Sequence, residues 1–505
     1  MKIIDKQKPI DVLFISEGTY PYVRGGVASW IHEIITAMED KKFGVIFLGS
    51  KEDDYNGIQY RFPENLVYLE SYFMFSGREY PPAAYISGSD KVKKIDAFLN
   101  DEGNIVEELL NIYFYLSDVT LADILYGKKT FDMIEDLYVQ KELNVPFIDF
   151  FWTLRNIFIP LWIVVKAILS VLDREISLIH SPSTGYAGFL GALLKKTRDI
   201  PYIVTEHGIY TLERKIDLLN THWIPKDSNP VFRSIEVEEL KKLWINFFIN
   251  LGKICYKQAN KVICLFEGAK SIQMSLGCSP EKIDVIPNGV KIEQYALLRQ
   301  QRDSIPPVIA LMGRVTPVKD VKTFIKAMKI LIEKMPEAEG WIVGPEAEDP
   351  DYAKECKMLV NTLRLEDKVK FLGFQKLTDI LPYIGLSTLT SISEGMPLVV
   401  LESFATGVPC VATDAGSIKQ LVYGGLNDDD IQLGKAGEIV SAGDSRAFAD
   451  AYYKFLTDKQ LYTNAQFTAI QRVERFYSFD TFINRYQKIY ETFIGVNSWQ
   501  EYQSS

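Results

Sequence analysis

Short apolar runs separated by polar, glycine-bearing stretches open this chain, and a regular alternation of apolar and amphipathic segments fills its second half. Ile10 to Ser16, IDVLFIS, has the unbroken apolar character of a strand covered on both faces. A loop, EGTYPYVRGG, follows, then an amphipathic helix from about Val27 to Met38 and a second strand over Phe43–Gly49. From about Gly57 to Val145 tyrosines, short helical patterns and acidic clusters occur without βα alternation, which predicts an insertion. Ile157 to Leu172 is the most apolar stretch. It holds Pro160 and Lys166 and falls short of the ~20 residues that span a bilayer, so a buried or amphipathic helix is expected. Strands are then predicted over Ile176–His180 and Pro201–Thr205, a long helix over Glu236–Gln258, and strands in ANKVICLF and KIDVIPNGV.

The second half alternates more cleanly. PVIALMGRV, GWIVG, KVKFLG, STLTSI, VPCVAT and GEIV read as strands, with helical patterns between them. Strands separated by helices make βαβ units and a mainly parallel sheet, so the fold class is α/β. The polar segment Tyr295–Pro306 marks a boundary. The expected domains are residues 1–300 with an insertion at about 57–150, residues 301–475, and a helix over 476–505. Aromatic side chains at helical spacing in that last segment predict that it packs back on the first domain.

Composition narrows the function classes. A net charge of −10 excludes the basic footprint on which nucleic-acid affinity depends. Five cysteines without CxxC spacing read as small core residues of a reducing compartment. The N-terminus shows no long apolar run with a small-residue cleavage site, and a cytoplasmic location is expected.

Chemistry concentrates at Ser391–Glu402, SISEGMPLVVLE. Pro397 suits a first helical turn and Gly407 the position past the helix end. The helix between them carries one charge, Glu402. Apolar on most faces, it should be buried, so Glu402 needs donors or a counter-charge. Glu402 therefore either meets a ligand or pairs with a buried Arg or Lys, and Glu394 is either a second ligand contact or a solvated loop charge. Met312-Gly313-Arg314 ends a strand with Lys319 close behind, which sets a guanidinium fork and a compact ammonium where phosphate oxygens could be held. In the first domain Gly25-Gly26 precede a helix, and Glu206-His207-Gly208 end a strand. Ligands of open α/β sheets bind at such carboxyl edges. The acidic clusters Asp53-Asp54 and Asp428-Asp429-Asp430 read as solvated, and no metal site is expected.

Taken together, GG at Gly25-Gly26, EHG at Glu206–Gly208, GRVTPVK at Gly313–Lys319 and SEGMPLVVLE at Ser393–Glu402 resemble the retaining glycosyltransferases of family 4. More narrowly, EGTYPYVRGGVASW and HGIYTLERK resemble the Pel exopolysaccharide glycosyltransferases. The resemblance implies a GT-B architecture: two Rossmann-like βαβ domains facing each other across a cleft, with a helical insertion in the N-terminal one and a UDP-sugar donor bound between them. It implies catalytic roles for His207, Arg314, Lys319 and Glu394. The donor set it implies is Gly25, Gly26, Gly313, Arg314, Lys319, Glu394, Gly395, Met396, Pro397, Leu398 and Glu402. Arg314 and Lys319 would hold the diphosphate, Glu402 the ribose, Glu394 the sugar hydroxyls, and His207 the sugar on its acceptor side. A front-face reaction without metal or other cofactor is the implied mechanism. UDP-glucose or a UDP-N-acetylhexosamine is the expected donor, a growing polysaccharide the acceptor, and an inner-membrane synthesis complex the expected partner. The alternatives are a nucleotide-sugar epimerase of the same architecture and a non-catalytic nucleotide-sugar-binding protein.

Overall fold

The computed structural model describes residues 2–4, 8–75, 85–100, 107–141, 146–214, 230–299 and 304–504. The expected boundary at residues 300 and 301, parts of the expected insertion, and Lys215 of the HGIYTLERK motif lie outside them. The chain divides into two compact units: Met1–Cys264, Lys270–Asp284 and Gln487–Ser505 form one, Leu265–Ala269 and Val285–Tyr486 the other.

The first unit is built on an eight-stranded sheet. Its strands are β1 (Lys2–Ile4), β2 (Ile10–Glu17), β3 (Phe43–Gly49), β4 (Leu66–Phe73), β5 (Ile176–Ser181), β6 (Tyr202–Glu206), β7 (Lys261–Cys264) and β8 (Ile283–Val285). They lie in the order β1-β4-β3-β2-β5-β6-β7-β8. From β4 through β3, β2, β5 and β6 to β7 the pairing is parallel, and β1 adds to β4 antiparallel. Phe43–Gly49 is buried at every position, as its unbroken apolar run requires.

The segment expected as insertion from residue 57 opens instead with β4, which extends the sheet. Its sequence, LVYLESYF, lacks the aliphatic run of its neighbours. Glu70 is buried there, accepting a hydrogen bond from Tyr68 Oη at 2.8 Å. The helices Lys93–Asn100, Leu121–Tyr126, Lys128–Gln140 and Phe147–Leu169 then intervene before β5. Phe147–Leu169 starts ten positions earlier than the apolar run at Ile157 and is long and apolar enough, by length and composition alone, to cross a membrane. It contains Pro160 and buries Leu154, Ile157, Val164 and Ile168 within the protein. Trp162 Nε1 on the same helix donates to Val119 O at 3.0 Å, which answers its one polar group.

The second unit holds a six-stranded, wholly parallel sheet in the order β11-β10-β9-β12-β13-β14. Its strands are β9 (Val308–Met312), β10 (Glu339–Val343), β11 (Val369–Gly373), β12 (Leu386–Leu389), β13 (Cys410–Thr413) and β14 (Gly437–Val440). The helix Val321–Lys334 packs one face of it with Phe324, Ile325, Met328 and Leu331, all fully buried. Each such side chain contributes about 1.5–3 kcal/mol.

Two further expectations meet the structure here. All five cysteines are buried and free. Asp430, expected in a solvated cluster, is wholly enclosed: Arg472 Nε donates to its Oδ1 at 2.6 Å, and the Gly425 and Leu426 N–H groups donate to its Oδ2 at 3.0 and 3.1 Å. Its partner lies far along the chain, beyond the reach of local pattern.

Candidate functional site

In the six-stranded sheet the chain runs outward from β9 through β10 to β11, then returns to lay β12 on the other side of β9. A reversal of strand order at parallel strands opens a crevice at their carboxyl ends. The loops that follow β9 and β12 therefore emerge side by side, although about seventy positions separate them in sequence. Ile392 N–H donates to Val318 O at 2.8 Å, and Thr390 Oγ1 donates to Lys319 O at 2.9 Å, tying the two loops together.

Lys319 and Glu394 meet in this crevice. Lys319 Nζ donates to Glu394 Oε1 at 2.5 Å, with side chains only 14% and 9% exposed. Glu394 is therefore not the solvated loop charge that local sequence allowed. Arg314 stands at the open rim, its Nη1 donating to both Glu348 oxygens at 2.6 and 2.8 Å. Each cation of the pair thus meets a carboxylate of the same unit.

The helix Leu398–Ala405 starts directly after Pro397, which takes the capping position. It ends in hydrogen bonds from Gly407 N–H to Phe404 O and from Val408 N–H to Ser403 O, with Gly407 at φ +74°, a left-handed stop. On this helix Glu402 Oε1 accepts from Tyr295 Oη at 2.7 Å. Tyr295 comes from the short helix Ile292–Ala296, before β9, and sequence pattern gave no reason to select it.

Close backbone approach fixes the intervening loop. A Cβ on Gly416 would lie 2.1 Å from Glu394 O, and one on Gly344 would lie 1.9 Å from Gly313 O. Both glycines have positive φ, so a side chain is excluded by strain as well as by space. Ser417 N–H donates to Gly395 O at 2.9 Å, and Asn288 Nδ2 donates to Met396 O at 3.3 Å. Gly395, Met396 and Pro397 are thereby held beside Glu394. In sequence Asn288 stands only at the end of the strand pattern KIDVIPNGV, with nothing to mark it as a site residue. Gly289 has a packing reason, since its Cβ would strike Phe482 Cβ at 2.7 Å.

In the first unit the order of strands reverses between β2 and β5. Gly25 and Gly26 follow β2, at the start of the helix Gly26–Ala37. Gly25 is extended, and a Cβ at either glycine would touch nothing within 4 Å. Neither glycine is required by strain or packing, and the helix start opens to surroundings a ligand can approach.

His207 follows β6. Its ring stands edge-on to Trp30, centroids 4.7 Å apart, and its Nε2 is enclosed without a hydrogen-bond partner among the described residues. Burial holds the imidazole down to about 3, so it is neutral near pH 7. Glu206, just before it, is fully enclosed and accepts from Thr184 Oγ1, Tyr210 N–H, Tyr256 Oη and Gln273 Nε2 at 3.1, 3.3, 2.6 and 2.8 Å. Burial raises its pKa above the usual carboxylate range while these donors oppose the shift. The glutamate is an anchor for the strand end that carries His207. His180, on β5, is buried between Tyr490 Oη at Nδ1 and Thr205 Oγ1 at Nε2, both at 2.8 Å.

Residues 10–281 match the family model described as "Domain of unknown function (DUF3492)", which spans more than half of the chain. The chain belongs to the DUF3492 family. Residues 306–458, holding all six strands of the second unit, match "Glycosyl transferases group 1", so this DUF3492 protein carries a group 1 glycosyltransferase domain. It is 26% identical over 235 residues to the UDP-Gal:alpha-D-GlcNAc-diphosphoundecaprenol alpha-1,3-galactosyltransferase of Escherichia coli. The alignment covers 42% of this chain, which spans about half (51%) of that curated relative.

Among solved structures, HepE of Anabaena in complex with UDP-glucose aligns with TM-score 0.57 at 17% identity, over 95% of this chain and 99% of HepE. Sucrose-phosphate synthase of Thermosynechococcus elongatus aligns with TM-score 0.60 at 14% identity, over 96% and 99%. At such identities the likeness establishes the fold. This DUF3492 protein has the GT-B-like fold of two Rossmann-like sheets.

Proposed function

We propose that this protein is a retaining glycosyltransferase that moves a hexosyl group from a UDP-sugar, UDP-glucose or a UDP-N-acetylhexosamine, onto a growing bacterial exopolysaccharide of Pel type. The observation that carries the reading is the Lys319–Glu394 pair beside Arg314 at the switch point of the second sheet. Cations and a carboxylate gathered there suit a sugar joined to a diphosphate: fixed positive charge for the phosphates, an acceptor for hydroxyls. The UDP and UDP-glucose bound to HepE and the UDP-Gal named for the E. coli relative support a uridine nucleotide.

In the reaction the bond from the anomeric carbon to the β-phosphate oxygen breaks and a bond to an acceptor hydroxyl oxygen forms on the same face. UDP departs, and its phosphate oxygen takes the hydroxyl proton. Negative charge grows on the leaving diphosphate, so Arg314 and Lys319 stabilise the transition state more than the ground state. Glu394 binds sugar hydroxyls, and Glu402, oriented by Tyr295, binds the ribose. Gly25 and Gly26 present helix-start N–H groups to phosphate, and neutral His207 serves the sugar as a hydrogen-bonding group. We place the protein in the cytoplasm, peripheral to the inner membrane through a polysaccharide synthesis complex.

Calorimetric titration with UDP-, ADP- and GDP-sugars tests the donor, and release of UDP with polysaccharide acceptor tests the transfer. Binding confined to ADP- or GDP-sugars overturns the uridine assignment. Interconversion of free UDP-sugars without acceptor overturns transfer in favour of epimerisation, and binding without turnover on any acceptor favours a sensor. Excess chelator is expected to leave turnover unchanged, and a loss restored by added divalent ion overturns metal independence.

A further inference from the structure

Two side-chain oxygens on residues that bond the Gly395-Met396 stretch are buried without a hydrogen-bond partner among the described residues: Asn288 Oδ1 and Ser417 Oγ. Asn288 is 6% exposed and Ser417 0%. Both residues are fastened to the same short stretch of chain. Asn288 donates from Nδ2 to Met396 O at 3.3 Å and its backbone N–H meets Met396 Sδ at 3.3 Å, while Ser417 N–H donates to Gly395 O at 2.9 Å. These contacts fix the carboxamide. Turned over, its oxygen would face the carbonyl oxygen of Met396, so Oδ1 points away from that bond. An enclosed oxygen left unpaired is costly, and native interiors contain few of them.

The neighbourhood says what kind of group would complete them. Gly416, adjoining Ser417, packs so close to Glu394 O that a Cβ there would lie 2.1 Å away. Asn288 Oδ1 only accepts, whereas the Ser417 hydroxyl both donates and accepts, and neither carries charge. That complement fits the hydroxyls of a sugar. A phosphate offers only acceptors, and it would leave the Asn288 oxygen still unpaired.

We propose that Asn288 and Ser417, each bonded to the stretch that follows Glu394, bind hydroxyls of the transferred sugar and so take part in selecting the hexose. This assignment rests on the UDP-sugar reading. Through Asn288, the segment leading into β9 contributes directly to donor recognition.

The test is calorimetry with UDP, UDP-glucose and UDP-N-acetylglucosamine on the full chain and on Ser417→Ala and Asn288→Ser, with thermal unfolding of each protein without nucleotide. Ser417→Ala removes an unpaired hydroxyl, so its unfolding temperature is expected to stay level or rise. It should bind UDP as the parent does and the preferred UDP-sugar about five- to tenfold more weakly. Asn288→Ser also loses the bond to Met396, so a lower unfolding temperature is expected. Its affinity ratio of UDP-sugar to UDP should fall at least as far. A drop in unfolding temperature for Ser417→Ala, with sugar-to-UDP ratios unchanged in both variants, means that the oxygens hold structural water only and overturns the assignment. Failure of the parent to bind UDP overturns the donor reading itself, and the assignment with it.

Discussion

Lys319→Ala separates the two duties of one side chain. In the folded protein Lys319 Nζ lies 2.5 Å from Glu394 Oε1, with 14% of the lysine side chain and 9% of the glutamate side chain exposed. Removing one partner of a buried ion pair costs about 3–5 kcal/mol, mostly because the other charge is left without compensation. The residual exposure lets water reach Glu394, so about 2–3 kcal/mol is expected here. For a unit of this size each kcal/mol moves the unfolding midpoint by about 2–4 °C, giving a fall of roughly 5–10 °C. The double variant Lys319→Ala/Glu394→Gln removes both charges and should recover most of that fall.

Turnover should respond differently. Losing one preorganised cation at the leaving group costs about 10²-fold in kcat, and the double variant should recover none of it, since neutralising Glu394 does not restore positive charge. The assay is a thermal-unfolding series beside UDP-release kinetics for the parent, both single variants and the double. A Lys319→Ala protein with the parent's midpoint would refute the buried pair. Recovery of turnover in the double variant would refute the assignment of Lys319 to the leaving group.

Three further outcomes follow from the same geometry. Arg314→Ala should lower kcat by about 10²-fold or more, read from UDP release at saturating donor, while its half-exposed pairing with Glu348 predicts little loss of stability. Tyr295→Phe deletes the hydroxyl that orients Glu402 and should raise the donor KM by about fivefold with kcat little changed; an equal loss in kcat would place Tyr295 elsewhere in the cycle. His180 and His207 are both held down to about 3 by burial, against an ordinary value of 6.5. Above pH 6.5 neither state binds the extra proton and stability is unaffected. As pH falls from 6.5 toward 3 the unfolded chain takes up protons that the folded one refuses, so stability declines, by about 2 kcal/mol from His180 alone at pH 5. NMR of the imidazole signals should find both rings neutral at pH 5, and an ordinary midpoint near 6.5 would refute their burial.

What the sequence could carry depended on how local each cause was. β2, β3 and β9 announce themselves by aliphatic runs, because burial on both faces acts on consecutive residues. β4 is as much a part of its sheet, yet it carries Glu70 and the aromatics Tyr68, Tyr72 and Phe73, and only a short 3₁₀ turn at Glu52–Asp54 precedes it in the place of a crossover helix. Its pattern therefore gave neither period. Asp430 failed for a related reason: three successive aspartates look solvated until Arg472 is brought against one of them. Of the site, GRVTPVK and SEGMPLVVLE were legible as motifs and their chemistry followed from residue type. Tyr295, Glu348, Asn288 and Ser417 were not, because each acts through a partner that only the strand order brings near.

That strand order also alters how the cations should be understood. Read as sequence, Arg314 and Lys319 are free positive charges awaiting phosphate. In the folded unit they face Glu348 and Glu394, at 2.6 and 2.5 Å. A diphosphate binding here therefore exchanges one set of anionic oxygens for another, and much of its Coulombic gain is offset by the pairs it displaces. Such a site holds its fork and ammonium in place before the donor arrives. Under the proposed function it would bind the ground state only moderately, so that charge developing later on the leaving group meets donors already in position. On the proposed reading Glu348, lying at the exposed rim, is the easier partner to displace, and Glu394, mostly enclosed, would exchange its bond with Lys319 as the sugar binds.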